Sequence, residues 1–493
     1  MRQNLGHGRL GNFTGPLLLI VILVVAAALR MYDLDRTSLW YDEAVTWAQS
    51  RGAFSELLSS VAADNYPPFH NVILWLTMPV FGDSEIALRL PSVILGVLAV
   101  WLIYLSGRSL AGDASDGPYS ALLAAALLAT SPFHIWYSTE ARMYALLAAG
   151  GLAFLLSVMK VLNRPSIGWF TTLSLSGAAF LYSHIYALLG FAAVGLVCAL
   201  YALNDTLRAG RLTLSPATIA CLGMGFSALA FLPWLFILAN RARSVAEAGF
   251  WIAYPDIQFL KSMVFSIAGS IVFFWILSAL ALIYCLRVFF VDTVSSQDEG
   301  NKRKFAGICL AFTAGPLILA YLYSLLVQPI LFDRYLIAAW PGLLLLASAG
   351  ANQFIPRLGP AALLVAALTL TFPELRFALF DKVRPDWRGI TQDYKANRSK
   401  DRQLVLYKGF AAPALEYYLR SPDSFVAAGE IGDLKNQSSG AIENERWLLL
   451  VHSTPDEMSQ ALEAFSASEP EPVAQRFGWG ASGLKLLRFA PHN

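Results

Sequence analysis

Eleven long apolar stretches govern what this chain can fold into. They cover residues 14–32, 86–107, 119–132, 142–161, 168–183, 185–203, 214–238, 263–289, 305–327, 335–354 and 359–379. A helix needs about 20 residues to cross the hydrocarbon of a bilayer, and fewer where neighbouring helices shield its ends. Charged residues make up 14% of the 493, against about 25% in an ordinary soluble protein. The sequence therefore predicts a polytopic α-helical membrane protein with about eleven transmembrane helices. A net charge of +2, with no basic run longer than Lys302-Arg303-Lys304, gives no footing for a nucleic-acid partner. Cys198, Cys221, Cys285 and Cys309 lie far apart inside apolar stretches. They read as small core residues and show neither metal-site spacing nor a disulfide framework. The run from Pro16 to Ala28 has the length of a signal-peptide core, but no small-residue cleavage site follows it. It is read as a retained helix.

The stretch Phe69 to Phe81 is also apolar, but it has 13 residues, follows Pro67-Pro68 and contains Pro79. It reads as a helix lying in the membrane interface. Charge supports that choice. With Arg2 and Arg9 cytoplasmic, eleven spans place Arg108, Lys160, Arg164, Arg208, Arg211, Arg287, Lys302, Arg303, Lys304 and Arg357 on the same side. The outside connections hold fewer, mainly Arg36, Arg51, Arg142, Arg241, Arg243 and Arg334, as the positive-inside rule requires. Counting 69–81 as a span reverses every later loop. The outer face then collects the first loop (33–85), the connection 133–141, the turn 183–185, the loop 239–262 and the segment 328–335. Beyond residue 380 the chain turns polar. Strand-like runs (Gln403–Tyr407, Phe425–Ala428, Trp447–Val451, Leu484–Phe489) alternate there with helical ones (Ala411–Leu419, Pro455–Phe465), which predicts a small extracytoplasmic α/β domain over 381–493. There is no internal repeat, and the polar low-complexity patch is confined to Asn436–Gly440.

Five groups of residues carry possible chemistry on that outer face. Asp42 and Glu43 lie in Ser38-Leu39-Trp40-Tyr41-Asp42-Glu43-Ala44, just after the first span. A carboxylate pair so close to a bilayer is costly unless it is solvated or used. The alternative is an exposed helix start, where the helix dipole favours acids, flanked by an interfacial aromatic belt. Tyr137, Glu140 and Tyr144 fall at i, i+3 and i+7 and are expected on one helical face with Arg142 beside it; a structural Glu140–Arg142 pair is the alternative. Two carboxylate sites and an arginine at one surface suit acid–base work beside an anion. In Asp64-Asn65-Tyr66-Pro67-Pro68-Phe69-His70, prolines fix the entry angle of the in-plane helix. Tyr66 and His70 either face the site or serve a rigid turn. Arg334, in Phe332-Asp333-Arg334-Tyr335, suits a lipid phosphate, or acts as a snorkelling anchor paired with Asp333. His184, in Tyr182-Ser183-His184-Ile185-Tyr186, is a secondary candidate, since a lone histidine at a turn is more often structural.

Asp33-Leu34-Asp35 matches the DxD motif of nucleotide-sugar transferases, but three letters are weak and this one falls outside, where nucleotide sugars are normally lacking. No Walker loop, GxSxG elbow, HExxH or CxxC occurs, so ATP-driven transport and serine or zinc hydrolysis have no support.

Taken together, Trp40 to Ala44, Tyr66-Pro67-Pro68, Tyr137 to Ala145, Arg334-Tyr335-Leu336 followed by Pro341, and Pro385-Asp386-Trp387-Arg388-Gly389 resemble one family. It is the bacterial membrane glycosyltransferases of the protein O-mannosyltransferase type (the glycosyltransferase family 39 type), which include the aminoarabinose transferases of lipid A and have the GT-C fold. The similarity covers about residues 15–395. It implies a transmembrane catalytic domain over 1–380, a polyprenyl-phosphate sugar donor, transfer on the extracytoplasmic face of the inner (plasma) membrane and inversion at the anomeric carbon. The position of the family's catalytic acidic residue matches Asp42, its supporting acidic positions match Glu43 and Glu140, and Tyr66-Pro67-Pro68 matches a donor-site loop. The aminoarabinose transferases carry a lysine just before the prolines where this chain has Tyr66. That leaves Arg334 or Arg142 to meet the phosphate, with Tyr66, His70, Tyr137, Tyr335 and His184 around the donor. Related GT-C enzymes differ in their use of a divalent metal, and no ligand cluster is evident in this sequence.

The physical case agrees with the resemblance. Displacing a polyprenyl phosphate passes through an oxocarbenium-like transition state, the acceptor hydroxyl needs a positioned base, here Asp42, and arginine neutralises the leaving phosphate. The acceptor is a lipid, a polysaccharide or a protein. An oligosaccharide ligase or polymerase would use the same lipid chemistry. A flippase would call for charged or broken helices near mid-membrane and an inverted repeat, whereas the ionisable residues here cluster at one face.

Overall fold

The structure, a computed structural model, describes residues 11–64, 66–112, 117–248, 252–292, 296–354, 356, 358–399, 402–420, 425–438, 445–465, 470–476 and 483–489. Arg2, Arg9, Asn65, Arg357 and the end of the polar patch at 439–440 lie outside these residues. In chain order the helices are α1 Gly11–Met31, α2 Tyr41–Gln49, α3 Phe54–Ala62, α4 Phe69–Phe81, α5 Glu85–Ala111, α6 Gly117–Ala129, α7 Pro132–Ser138, α8 Tyr144–Asn163, α9 Ile167–Leu181, α10 Ala187–Ala209 and α11 Pro216–Ala248. They continue with α12 Ile257–Ala268, α13 Ile271–Leu286, α14 Gln297–Leu326, α15 Trp340–Phe354, α16 Leu358–Leu370, α17 Phe372–Arg376, α18 Trp387–Asn397, α19 Ala412–Leu419, α20 Ile431–Ser438 and α21 Pro455–Phe465. Contacts divide the chain into two compact units: Met1–Tyr32 with Gly52–Gly82 and Arg89–Phe380, and Asp33–Arg51 with Asp83–Leu88 and Asp381–Asn493.

The first unit is a helical bundle. Among the described residues six helices are long and apolar enough to cross a membrane, and eight if each of two bent pairs counts as one span. α11 shows why water is the wrong solvent for it. Leu222, Phe226, Leu229 and Phe236 leave 49, 57, 65 and 63% of their surfaces exposed along it, an apolar face far beyond what a soluble monomer leaves open. The chain is an integral membrane protein. α8 is its central helix, buried from Tyr144 through Leu152 and again over most of Phe154–Leu162, with Phe154 stacked on Phe180 and Phe191.

Several expected spans are interrupted. The one placed at 119–132 stops at Ala129 and turns by 59° into α7. The one placed at 142–161 starts at Tyr144, because residues 139–143 form a non-helical connection. Tyr137, Glu140 and Tyr144 therefore do not share a helical face. The 263–289 stretch is two helices. Gly269 ends α12 in the left-handed region, with φ +70°, and the Ser270 side chain then caps α13 by accepting from the Phe273 amide, a pairing of glycine stop and serine start. The 335–354 stretch opens with a 3-10 turn, Asp333–Leu336, and becomes α-helical at Trp340. The 359–379 stretch bends by 60° after Leu370.

The second unit is α/β. Its sheet runs β2-β1-β3-β5-β4, from β1 Arg402–Tyr407, β2 Val426–Ala428, β3 Glu445–Val451, β4 Glu471–Arg476 and β5 Leu484–Phe489. β1 is parallel to β2 and β3, and β5 is antiparallel to β3 and β4. β3 is buried along its whole length. Trp447, Leu449 and Val451 pack with Trp387, Tyr394 and Leu415, while Leu448 and Leu450 pack with Leu434, Ala461 and Phe465. Burial on two faces is the reason this strand reads as a continuous apolar run. β4 is absent from the sequence expectation. It is a polar edge strand carrying Pro472, the kind of position where a missing amide is tolerated. Ala44 of α2 is part of the Trp387–Trp447 core, so the start of the first loop belongs to this unit.

Candidate active site

In the first unit the turn before α4, the 139–143 connection, the α9–α10 turn and the 3-10 turn before α15 converge on an aromatic cluster. The hydroxyls of Tyr66 and Tyr335 are 2.9 Å apart. The His184 ring lies between them, with centroids 5.1 Å from Tyr66 and 4.8 Å from Tyr335. Tyr144 stands 6.2 Å from His184 and 5.0 Å from Tyr137. Two guanidinium groups face these rings. Arg142 Cζ is 5.4 Å from the centroid of Tyr66. Arg334 Cζ is 5.7 Å from Tyr144, 5.6 Å from Tyr335 and 4.9 Å from Phe332. At these distances ring quadrupoles stabilise a cation without consuming its N–H donors. The expected donor-side residues Tyr66, Tyr137, Arg142, His184, Arg334 and Tyr335 thus gather in one place together with Tyr144, and are joined by Tyr186, to which the sequence assigns no role.

His184 is fully buried. Its Nδ1 accepts the Tyr186 amide at 3.1 Å, so the neutral ring carries its proton on Nε2. That atom is buried and has no hydrogen-bond partner. Burial first, then the charges of Arg142 and Arg334, push this histidine down to about 3. It is therefore a neutral donor across the physiological range. Burial also raises the Tyr66 hydroxyl well above its usual range, against the pull of Arg142. His70 stands one step back. Its Nε2 lies 3.4 Å from Ser92 Oγ, and Ser92 in turn donates to the Arg142 carbonyl at 3.3 Å. It braces the 139–143 connection. Buried Glu140 lies in that connection. Tyr182 O accepts the Phe69 amide at 3.3 Å, tying the start of α4 to the end of α9.

In the second unit Asp42 is half-buried in the first turn of α2, and Glu43 is fully buried. Glu43 Oε2 accepts the Trp40 amide at 3.3 Å, satisfying a helix-start donor as a capping residue does. The segment before α2 is held by the chain after residue 384. Ser38 Oγ donates to Asp386 Oδ1 at 3.2 Å and accepts the Arg388 amide at 3.1 Å, and the Leu39 amide donates to the Tyr418 hydroxyl at 2.7 Å. Asp386 also caps α18 through the Gly389 amide at 2.8 Å. Arg388 pairs with Glu85, which accepts from Tyr418 as well. Asp83 accepts from Trp47 Nε1 at 3.0 Å and from Arg420 at 2.5 Å; burial opposes its ionisation, but these donors hold it below the usual carboxylate range. Tyr41 meets Phe410 edge-on at 5.3 Å, and Arg384 lies 4.9 Å over Trp40. The local work of the motif Pro385–Gly389 is to anchor Ser38.

Among the described residues no group of three or more His, Cys, Asp or Glu converges to hold a metal ion, and the donors gathered around His184 are hydroxyls and guanidiniums, a set suited to an anion.

Residues 65–237 match the family model of dolichyl-phosphate-mannose-protein mannosyltransferase. No curated protein matches the sequence. Among solved structures, ArnT from Cupriavidus metallidurans in the apo state superposes with a TM-score of 0.64 at 14% identity, covering 96% of this chain and 97% of that one. The same protein bound to undecaprenyl phosphate gives 0.62 at 14% identity over the same shares. The archaeal oligosaccharyltransferase AglB from Archaeoglobus fulgidus, in complex with an inhibitory peptide and a dolichol-phosphate, gives 0.54 at 12% identity, covering 90% of this chain and 70% of that one. By family pattern over residues 65–237 and by fold over nearly its whole length, the chain resembles the GT-C membrane glycosyltransferases of the protein O-mannosyltransferase and aminoarabinose transferase type.

Proposed function

We propose that the protein is an inverting glycosyltransferase that moves a sugar from a polyprenyl-phosphate donor to an acceptor hydroxyl, on the extracytoplasmic face of the inner membrane. The observation that carries this reading is the convergence of Arg142, Arg334, the Tyr66–Tyr335 hydroxyl pair and the neutral His184 donor within one membrane-embedded unit. Such a set offers N–H and O–H groups to phosphate oxygens in a low-dielectric setting, where they count for more than in water. Arg334 and Arg142 take up the charge that grows on the leaving phosphate. Tyr66, Tyr137, Tyr335 and His184 surround the donor, and His70 holds Arg142 in place through Ser92. Asp42 is the base that accepts the acceptor's hydroxyl proton, with Glu43 fixing the start of α2 and Glu140 as a supporting acid. The topology that accompanies this reading has eleven spans, α4 in the membrane plane and residues 381–493 outside. The family match over 65–237, the ArnT complex with undecaprenyl phosphate and the AglB complex with a dolichol-phosphate support a polyprenyl-phosphate carrier. The likeness to AglB also favours a second reading, in which the transferred group is an oligosaccharide.

The test uses full-length protein in lipid nanodiscs, offered undecaprenyl phosphate carrying a labelled hexose, pentose or oligosaccharide together with membrane extract as acceptor. Release of undecaprenyl phosphate with label passing to an acceptor is expected, and the donor that works separates the two readings. Failure of every donor both to bind and to release its lipid contradicts the proposal.

A further inference from the structure

Arg30, at the C-terminal end of α1, is wholly buried, and none of the roles above uses it. Its Nη1 donates to the carbonyls of Ala26 at 2.9 Å and Ala129 at 3.1 Å. Its Nη2 donates to the Leu128 carbonyl at 3.3 Å and lies 2.8 Å from His134 Nδ1. Leu128 and Ala129 end α6, where the chain turns by 59° into α7. Those carbonyls are open for a covalent reason. In a continuous helix the amide of residue 132 would donate to Leu128, and Pro132 has no N–H. The amide of residue 133 would likewise reach Ala129, but α7 has restarted on Ser131, whose side chain accepts the His134 amide. Away from water such carbonyls need another donor, and the guanidinium brings a fork of them.

The surroundings leave the knot little freedom. A Cβ on Gly96 of α5 would come within 2.5 Å of Ser138 Oγ and 3.0 Å of Arg30 Nε, so α5 passes too close to admit a methyl group. Trp340 Nε1 donates to Ser131 Oγ at 3.2 Å, bringing in the start of α15. Ser138 Oγ donates to the His134 carbonyl, 2.5 Å away, and lies 3.3 Å from His134 Nδ1. α7 carries Tyr137 and leads directly into the connection that holds Glu140 and Arg142.

We infer that Arg30 is a positioning residue: it supplies the donors that Pro132 and the restart of α7 remove, and so fixes the α6–α7 angle that presents Tyr137 and Arg142 to the donor phosphate and sets the course of the connection carrying Glu140. This rests on the proposed function of that cluster.

The experiment compares Arg30→Met, Pro132→Ala and the double variant in nanodiscs, measuring thermal unfolding, undecaprenyl phosphate binding and kcat/KM. Paramagnetic labels at Tyr119 and Thr139 report the bend without any ligand. Pro132→Ala restores an amide for Leu128. It is expected to keep or raise the unfolding temperature, to lengthen the label distance, and yet to weaken binding and kcat/KM at least tenfold. Arg30→Met is expected to lose both stability and activity; the double variant regains stability and stays inactive. A Pro132→Ala protein with changed label distance and wild-type binding and turnover overturns the inference, as does a double variant that recovers activity along with stability. If Arg30→Met fails to insert, Pro132→Ala alone decides. Wild-type protein that neither binds undecaprenyl phosphate nor transfers sugar from it contradicts the proposed function, while the label distances still report on the bend.

Discussion

The candidate charges of the two units sit in different surroundings, although ring contacts to arginine occur in both. In the first, Arg142 and Arg334 rest against the faces of Tyr66, Tyr144, Phe332 and Tyr335, so the cations are stabilised by rings. In the second, carboxylates are held by hydrogen-bond donors: Glu43 by the Trp40 amide, Asp386 by Ser38 and the Gly389 amide, Asp83 by Trp47 and Arg420. Ring faces stabilise a guanidinium without occupying its N–H groups; amide donors satisfy a carboxylate in place and leave its neighbours positioned. The difference teaches a division of labour. Under the proposed function the first unit receives the donor's phosphate, and the second holds a short acidic helix start steady.

The comparison breaks most visibly at Asp42. Asp42→Asn is expected to lower kcat by about 10²–10⁴-fold, the usual contribution of a general base, with binding of undecaprenyl phosphate unchanged; steady-state transfer and equilibrium binding measured on the same preparation check it. Next comes the cation side. Arg334→Met preserves volume and ring contact but removes the fork of donors. Its donor KM is expected to rise by about 10–100-fold, which corresponds to a charge-assisted hydrogen bond of about 1.5–3 kcal/mol. An unchanged KM would make Arg334 a structural anchor.

His184 sharpens the comparison further, because it is a donor without a charge. Glutamine places an amide near the position of Nε2, whereas asparagine mimics only Nδ1. His184→Gln is expected to bind donor within a few-fold of wild type and His184→Asn about tenfold more weakly, as titration with undecaprenyl phosphate will show. The pH dependence follows from the same burial. A ring held at about 3 in the folded protein and near 6.5 when unfolded takes up a proton on unfolding between those values. Stability therefore falls as pH drops through that window and is unaffected above it. His70, also pushed to about 3 by burial and then by Arg142, adds to the effect. His184→Gln should flatten part of the fall in unfolding temperature between pH 6.5 and 4. The smallest effect belongs to the second unit's scaffold. Asp386→Ala removes the cap of α18 and the acceptor for Ser38, at about 1 kcal/mol of stability and a modest loss in kcat, read by denaturation and transfer assays.

The apolar pattern and the polar C-terminal segment made the membrane bundle and the small α/β region legible, because burial against lipid or a sheet repeats along the chain. Interruptions were harder. Gly269 is a strong breaker, yet it stands within a stretch that stays apolar on both sides, so the expected span 263–289 runs through it; the expected span 119–132 ends at Pro132, three residues beyond the end of α6 at Ala129. Glu140 is a separate case: the i, i+3, i+7 spacing of Tyr137, Glu140 and Tyr144 predicts one helical face, whereas Glu140 lies in the non-helical connection 139–143. Tyr66, Arg142, His184, Arg334 and Tyr335 were each visible as polar or aromatic residues at membrane edges, but their convergence depends on four separate turns. Arg30 sat in the last turn of an apolar helix and resembled an ordinary flanking charge. Two of its partners are main-chain carbonyls nearly a hundred residues away, which leave no trace in composition. β4 escaped notice because an exposed edge strand has no apolar alternation to show.

The most direct test pairs the two units in one measurement: undecaprenyl phosphate binding and sugar transfer, determined side by side for Asp42→Asn and Arg334→Met in nanodiscs. The proposed function predicts that Asp42→Asn binds like wild type and transfers almost nothing, and that Arg334→Met binds weakly. Sugar transfer at the wild-type rate by Asp42→Asn, or wild-type binding by Arg334→Met, would contradict it.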